Sequence, residues 1–442
     1  MVARTLPPSD DEGKHVVRAL TIAVLAALLT AAVGSAPADA AATGQPGVTR
    51  TEIRVGGVTT GGLGGRYASA FDGVQAAFDV INERGGVFGR RLVLARRLDD
   101  HGLASENIAA NRRLIEDHHV FSVLPESTRI FAGAKYLAVA GTPTFGWNVN
   151  TEWSEAANLF GDRGSYSCGT CSAVAPAYVA NRLQLTTAAV LAGEEPASPS
   201  CGVGLESGLD RFGVAIPVVD TAFTGDPEHL DADVHDMQEA GVQLVATCGI
   251  GVDDLARLAR ALRRDGLDAA QIYASGTYDP AALTRAGKSL DGMIAGIGFV
   301  PWEAPARPSG TQAFVGAMKR RGQRPTEAAQ AGWVGAGLLV EGIRAAGRRF
   351  TQASVVAAIN AITDFTSAGI LPGVDWSSGG HGPAREACTA FVEARHGAYA
   401  PRFGGRGKPF VCFPDNPLPD SLETPVLKPV GGGSAGGSPG PP

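Results

Sequence analysis

The stretch formed by residues 53–91 constrains the fold of this chain more than any other part of the sequence. It opens with a β-branched run, continues through a glycine-rich loop at residues 61–65, and ends in a second glycine cluster at residues 85–89. Between the two clusters, apolar residues recur at helical spacing: Phe71, Val74, Phe78 and Ile81. The pattern predicts one βα unit of a parallel sheet, a unit that places ligands in the loop after its strand.

Strand and helix patterns alternate through most of the remaining chain. In the first series, further strands are predicted at residues 91–95, 120–124 and 142–145. After a polar, irregular segment at residues 148–169, a second series places strands at residues 188–192, 216–219, 243–247, 271–274 and 293–300. Repeated βα units with short loops predict parallel sheets covered by helices on both faces. Since there are too many units for one open sheet, we predict an α/β fold with two doubly wound parallel-sheet domains.

The N-terminal region predicts export. Residues 19–33 form an uncharged apolar run that follows Lys14 and Arg18 and precedes a segment of small residues. A run of about 15 residues is short for a membrane span and typical of a signal-peptide core. We therefore predict a signal peptide over residues 1–40 and an extracellular or periplasmic protein. The alternative is an uncleaved segment that retains the protein at the outer face of the cytoplasmic membrane.

The six cysteines are an even number, and in an exported protein all of them can be paired. Cys388 and Cys412 flank a predicted hairpin, so we predict a disulfide between them. The pairing of the other four is left open: Cys168, Cys171, Cys201 and Cys248. The Cys168–Cys171 spacing also matches a redox CxxC, but export favours a structural bridge. A zinc site would require a second ligand pair at similar spacing, and the sequence has none.

Composition and motifs exclude several classes of function. A net charge of -6 with 19% charged residues gives no basic face, so we predict no nucleic-acid partner. The sequence lacks GxSxG, HExxH and Walker motifs and an acidic metal cluster. Its GGLGG loop is not a dinucleotide fingerprint, so we predict no cofactor and no enzymatic activity. Residues 414–442 are rich in Pro, Gly and Ser and are predicted to be a disordered tail.

Polar residues follow the predicted strands, at the edge where an open parallel sheet holds its ligand. Each could also be an ordinary loop residue, and Ser127 with Thr128 could equally cap the following helix. A hydroxyl beside helix N-terminal amides nonetheless makes a suitable carboxylate site. The candidate ligand-binding residues are Arg66, Tyr67, Glu126, Ser127, Thr128, Asn148, Asn150, Cys201, Gly251, Asp254, Ser275, Thr277 and Tyr278.

Several segments resemble the type I periplasmic binding proteins, and most closely the leucine/isoleucine/valine-binding proteins of ABC importers. The most specific is the opening stretch, with GVQAAFDVINERGGVFGRRL. The others are residues 111–115, the Ser127–Thr128 turn, residues 141–143, LARALRRDGL at 258–267 and AGKSLDGM at 286–293. The resemblance spans roughly residues 51–384.

The resemblance implies two lobes joined by three crossovers that close on a ligand. It implies a first lobe of residues 48–150 and 270–365, and a second of residues 165–268 and 370–412. In the family, a serine after the third strand and a small hydroxyl residue after the fourth bind the carboxylate of an amino acid. Ser127 matches the first position, and Asn150 stands at the second.

Other positions depart from the family pattern. A carboxylate that binds the ammonium group is replaced by Ser275, and Cys201 stands where a tyrosine is expected. Gly251 lies in the second-lobe loop where an aromatic is also expected, and Arg66 is near another such position. These departures indicate a ligand that is not leucine-like. Glu126 is our hypothesis for the missing anionic partner.

The sequence thus predicts a monomeric substrate-binding protein of an ABC importer. It would bind a small polar solute, such as an amino acid, an amide or a related compound, by hinge closure. It would pass that solute to a permease. The alternative is a ligand-sensing receptor module coupled to a signalling partner.

Overall fold

Two β-sheets organise the chain in the computed structural model, which describes residues 44–164, 174–377 and 388–413. The predicted signal peptide, the predicted tail, Cys168 and Cys171 lie outside the described residues. Within those ranges, no helix combines the length and the apolar character needed to cross a membrane.

The first sheet has five strands in the order β2-β1-β3-β4-β5, and every pairing in it is parallel. Its strands are β1 (Glu52–Thr59), β2 (Arg91–Asp99), β3 (Ser122–Ser127), β4 (Thr144–Gly146) and β5 (Leu159–Gly161). The helices between them are α1 (Ala70–Glu83), α2 (Ala104–Glu116) and α3 (Ala134–Ala140). The parallel βα unit predicted from the opening stretch is confirmed as β1 and α1. The fifth strand was missed, because its three residues lie in the segment that the sequence pattern marked as irregular.

The second sheet has eight strands, in the order β12-β11-β10-β9-β8-β6-β7 with β13 paired to β11. Its strands are β6 (Thr187–Gly193), β7 (Ala215–Phe223), β8 (Leu244–Cys248), β9 (Gln271–Ser275), β10 (Ile294–Ile297), β11 (Cys388–Arg395), β12 (Ala398–Arg402) and β13 (Phe410–Cys412). Its helices are α4 (Val174–Leu183), α5 (Ser198–Arg211), α6 (Pro227–Glu239), α7 (Val252–Arg264) and α8 (Pro280–Ala286). Strands β6 to β10 are parallel, and β11 adds an antiparallel edge. The two-lobed α/β fold is therefore confirmed.

The chain passes between the two sheets three times. It leaves the first sheet after β5, returns to it after β10, and leaves again before β11. The returning segment is helical and comprises α9 (Ser309–Arg320), α10 (Glu327–Ala346) and α11 (Gln352–Ile359). The sequence expectation placed residues from 270 onward in the first lobe. Strand β9 instead pairs with β8, and β10 pairs with β9, so the return follows residue 297.

Two disulfides join described residues. The predicted Cys388–Cys412 bridge is confirmed, and it links β11 to β13. A second bridge joins Cys201 of α5 to Cys248 at the end of β8, with 6.2 Å between their Cα atoms. It resolves two of the four cysteines whose pairing the sequence left open. The Cys201 sulfur, which we expected to face a ligand, is held in this bridge.

The first lobe is held together by close packing of α1 against α10, the helix that returns from the second sheet. Glycines allow this approach. A Cβ atom on Gly73 of α1 would collide with the Ala329 carbonyl of α10, and one on Gly332 of α10 would collide with the Ala70 carbonyl of α1. The two backbones therefore touch directly, with no space for a side chain between them.

Gly332→Ala should destabilise the protein, because a methyl group at this position forces α1 and α10 apart. We expect a loss of about 1 to 3 kcal/mol in the free energy of unfolding, as for other overpacked cores. Gly337→Ala, on the same helix, is the matched control, since its nearest contact would be an ordinary one of 3.8 Å to Ser367 Oγ. That variant should gain about 0.5 to 1 kcal/mol from helix propensity. Urea denaturation of both variants tests the difference, and equal stabilities would contradict it.

Candidate ligand-binding site

The loops that follow the strands of one sheet contact those of the other. Arg66, after β1, donates from Nη2 to the carbonyl oxygen of Gly276, after β9, over 3.1 Å. Arg129, after β3, forms an ion pair of 2.7 Å between its Nε and Oε2 of Glu195, after β6. We call the region between these two sets of loops the cleft. It lies at the carboxyl ends of the parallel strands, where open α/β sheets bind ligands.

Aromatic rings line the first-lobe side of the cleft. Tyr67 and Trp147 are both buried, with their ring centroids 5.6 Å apart. The Arg66 guanidinium lies 5.5 Å from the Trp147 ring centroid and 5.9 Å from that of Tyr67. Burial raises the pKa of Tyr67 to about 12, so its phenol is neutral. The result is an apolar wall with a cation over its face.

Charged side chains of both signs lie beside this wall. Arg163 Nε is 3.4 Å from Oδ2 of Asp162, and Arg163 Nη2 donates to Asn148 Oδ1 over 3.1 Å. Glu327, at the start of α10, accepts a hydrogen bond of 3.0 Å from the backbone N–H of Tyr278. Burial raises the pKa of Glu327, while the charges of Arg163 and Arg66 oppose that shift. Two arginines and two carboxylates therefore occupy one region with no net formal charge.

Two buried hydroxyls at this edge lack hydrogen-bond partners within the described residues. Ser127 ends β3 and is 0% exposed, and Thr277 follows β9 and is 6% exposed. The alternative that Ser127 and Thr128 cap a helix is wrong, because α3 begins at Ala134 with Gly133 before it. A buried polar atom without a partner requires an explanation, and a bound ligand supplies one.

Glu126 is engaged inside the first lobe. Its carboxylate accepts hydrogen bonds from Asn107 Nδ2 at 2.8 Å, Asn111 Nδ2 at 3.2 Å and Thr128 Oγ1 at 2.9 Å. Successive residues of a strand face opposite sides, so Glu126 points to α2 while Ser127 points away from it. Both Glu126 oxygens are therefore occupied, and the structure gives no support for this residue as the anionic ligand partner.

The remaining predicted residues have varied surroundings. Asn150 donates from Nδ2 to the Arg129 carbonyl over 3.0 Å and so holds the Arg129 loop. The Tyr278 hydroxyl bonds to Glu303, and its ring packs 4.7 Å from that of Trp302, which makes it a buried core residue. Gly251 precedes α7, and Asp254 pairs with Arg257 on that helix. Ser275 is the last residue of β9 and is partly buried.

Sequence reasoning missed several residues of the cleft: Arg129, Trp147, Asp162, Arg163, Glu195 and Glu327. Three of them were detectable in principle, since Arg129, Trp147 and Glu195 lie within two residues of a strand end. Asp162 and Arg163 follow β5, which the pattern did not reveal. Glu327 follows no strand, and only the packing of α10 on α1 brings it to the cleft.

The chain was compared with known families and structures. The periplasmic binding protein family matches residues 52–398. Among similar solved structures, a leucine-binding protein from Thermotoga maritima has 16% identity and a TM-score of 0.65, over 79% of this chain and 97% of that one. A solute-binding protein of an ABC transporter from R. palustris, in complex with benzoate, has 17% identity and a TM-score of 0.62, over 82% and 98%. A fatty acid ABC transporter substrate-binding protein from Thermomonospora curvata has 16% identity and a TM-score of 0.64, over 87% and 97%. No curated protein matches the chain.

The chain therefore belongs to the periplasmic binding protein family. The predicted resemblance to periplasmic binding proteins is confirmed by this family match. Structures with the same fold include leucine-binding and possible leucine/isoleucine/valine-binding proteins.

Glu126→Gln should change how stability depends on pH. Burial raises the pKa of Glu126 to about 8, whereas an unfolded glutamate titrates near 4.3. Between these two pKa values the folded state binds more protons than the unfolded state. The contribution of Glu126 to the free energy of unfolding therefore falls as the pH rises. The stability of the Gln variant relative to the wild type should therefore increase by roughly 1 kcal/mol per pH unit between pH 5 and 8.

Urea denaturation at several pH values measures this difference. Glu116→Gln is the control, because Glu116 is exposed at the end of α2. A Glu126→Gln profile parallel to that of the wild type would contradict a protonated, buried Glu126.

Proposed function

We propose that this protein is the extracytoplasmic substrate-binding component of an ABC importer. It binds a small polar solute, such as an amino acid, an amide or a related compound, in the cleft. The observation that carries this proposal is the pair of buried hydroxyls of Ser127 and Thr277, which lack partners within the described residues. They lie at the carboxyl ends of β3 and β9, one in each lobe, where loops of the two sheets contact each other. A solute that bonds to both would join the two lobes.

The chemistry of the cleft supports a solute with balanced charge. Arg66 and Arg163 stand beside Asp162 and Glu327, which suits a zwitterion or a neutral polar molecule better than a multiply charged ion. Ser127 can donate to a carboxylate, a group common to leucine, benzoate and fatty acids, the compounds for which three of the similar proteins are named. The Tyr67–Trp147 wall would contact an apolar part of the same molecule.

Capture would proceed by hinge closure, with no chemical change to the solute. The Arg66–Gly276 and Arg129–Glu195 contacts join opposite lobes and would separate on opening. We propose that the protein is exported, acts as a monomer and delivers its solute to the permease. A receptor that signals to another partner would close in the same way, and solute uptake by cells that carry or lack the protein would separate the two roles.

A thermal-shift screen over amino acids, amides, short-chain acids, sugars and aromatic acids should identify the solute. Binding to the folded state raises the melting temperature with the logarithm of ligand concentration. No hit across the panel, or turnover of any compound, would contradict the proposal. For the compound found, Ser127→Ala should weaken binding about 10-fold or more, the equivalent of about 1.5 kcal/mol for a hydrogen bond to a charged group.

Ser122→Ala is the matched control for Ser127→Ala. Ser122 is a buried serine at the other end of β3, and its hydroxyl donates to the neighbouring Val123 carbonyl at 3.5 Å. Isothermal calorimetry should give this variant a wild-type affinity. Equal affinities for the two variants would remove Ser127 from the site.

Glu195→Gln should favour the open form, because it removes the charge that holds Arg129 across the cleft. Since both side chains are partly exposed, at 35% and 26%, we expect a cost of at most about 1 kcal/mol and an affinity loss of up to about 5-fold. Adjacent, exposed Glu194→Gln should change neither affinity nor the ligand-free scattering profile. A double-mutant cycle with Arg129→Gln tests the pair, and strictly additive effects would argue against an ion pair that acts in closure.

A further inference from the structure

A second cluster of polar side chains lies at the edge of the second sheet. Asp220 is on β7, the edge strand, and His229 and Asp233 are on α6, the helix that follows it. His229 and Asp233 are four residues apart, so they share one face of α6. One ligand atom from each of the three residues lies within 4.8 Å of the others.

The described residues leave one oxygen of each carboxylate without a hydrogen bond. Asp233 is 8% exposed, and within the described residues the Oδ2 atoms of Asp233 and Asp220 accept no hydrogen bond. The closest contact is 3.5 Å, from His229 Nε2 to Asp220 Oδ2. The other Asp220 oxygen is occupied by the Ala222 backbone N–H at 2.8 Å. The three side chains therefore offer ligand atoms that are close enough together to contact one bound ion.

The electrostatics of this cluster favour a cation. The Asp220 side chain is 13% exposed and Asp233 is 8% exposed, so both carboxylates are largely shielded from water. Two like charges held together out of water cost free energy unless a proton or a metal ion lies between them.

We propose that Asp220, His229 and Asp233 form a binding site for a divalent transition-metal ion of the Zn²⁺ type. One imidazole and two carboxylates are a suitable ligand set for zinc, whereas Mg²⁺ and Ca²⁺ prefer oxygen ligands alone. In a tetrahedral zinc site with bonds of about 2.0 Å, neighbouring ligand atoms are about 3.3 Å apart. The His229–Asp220 separation is close to that value, and three protein ligands leave a fourth position for water.

The metal would have a structural effect on the second lobe. The ion would hold α6 against β7, because one of its ligands lies on the strand and two lie on the helix. Because β7 is an edge strand, the bound ion would stabilise the packing of α6 at the edge of the second sheet. None of the three residues is among those assigned to the cleft, so metal binding and solute binding can be tested with different variants.

Isothermal calorimetry and thermal shift on untagged, chelator-treated protein with ZnCl₂ test the proposal. We expect one equivalent of Zn²⁺ to bind and the melting temperature to rise with metal concentration. Co²⁺ should give the visible absorption of a low-coordinate site. His229→Gln and Asp233→Asn should each weaken Zn²⁺ binding by about 100-fold or more, because loss of even an outer-shell partner of a metal site costs 10- to 100-fold.

His235→Gln is the matched control. His235 is on the same helix, 3.5 Å from Glu239 in an exposed pair, and its loss should leave the stoichiometry and affinity unchanged. Absence of one-equivalent binding in the wild type would overturn the proposal, as would equal Zn²⁺ affinity of His229→Gln and the wild type. A third outcome would also exclude the metal site: Asp233→Asn stabilises the metal-free protein, and Zn²⁺ stabilises neither this variant nor the wild type. In that case a proton shared between Asp220 and Asp233 holds the two carboxylates together.

Discussion

The direct backbone contact between α1 and α10 is the constraint on which the rest of the first lobe depends. Gly73 and Gly332 leave no side chain between the helices, so the opening βα unit and the returning chain are held at one distance. The same contact packs Ala328 and Ala331 of α10 against Tyr67 and Trp147, the rings that line the cleft. It also sets Glu327, the first residue of α10, against the second-lobe loop at Tyr278. The packing of α10 on α1 thereby determines where the Tyr67 and Trp147 rings and the Glu327 carboxylate lie in the cleft.

A buried polar network holds the loops on the opposite side of the first sheet. Thr60, after β1, donates to Asp100 at 2.7 Å and accepts from the Arg129 backbone N–H at 2.9 Å. Asn107 donates to both Asp100 and Glu126 and accepts from the Gly133 N–H at 2.7 Å. Three strand-end loops are therefore joined through side chains that never reach the cleft. Because these loops are already ordered, ligand binding costs less conformational entropy. The network also places the Arg129 side chain where it pairs with Glu195.

Local patterns in the sequence were sufficient for some of these features. The opening glycine and apolar pattern predicted β1 and α1, and the hairpin between Cys388 and Cys412 predicted their bridge. The candidate residue Ser127 was found because it follows a strand. Glu126, its neighbour, was misjudged, because the sequence does not show which face of β3 each side chain occupies relative to α2. Strand β5 escaped detection because it lies in a polar, irregular segment that shows no apolar period.

What the sequence determined by itself was therefore the class of fold and the disulfide of the last hairpin, since these depend on local periodicity, capping glycines and short-range spacing. The family was predicted from the resemblance of whole segments. Only the tertiary structure decided that β9 and β10 belong to the second sheet, because their apolar runs would suit either sheet and hydrogen bonding to β8 makes the choice. It alone brought Arg66, Arg163 and Glu327 into one cleft and Asp220, His229 and Asp233 into one cluster. Most of these residues lie on different helices, strands or loops. The distances between such elements depend on tertiary packing, which local sequence patterns do not specify.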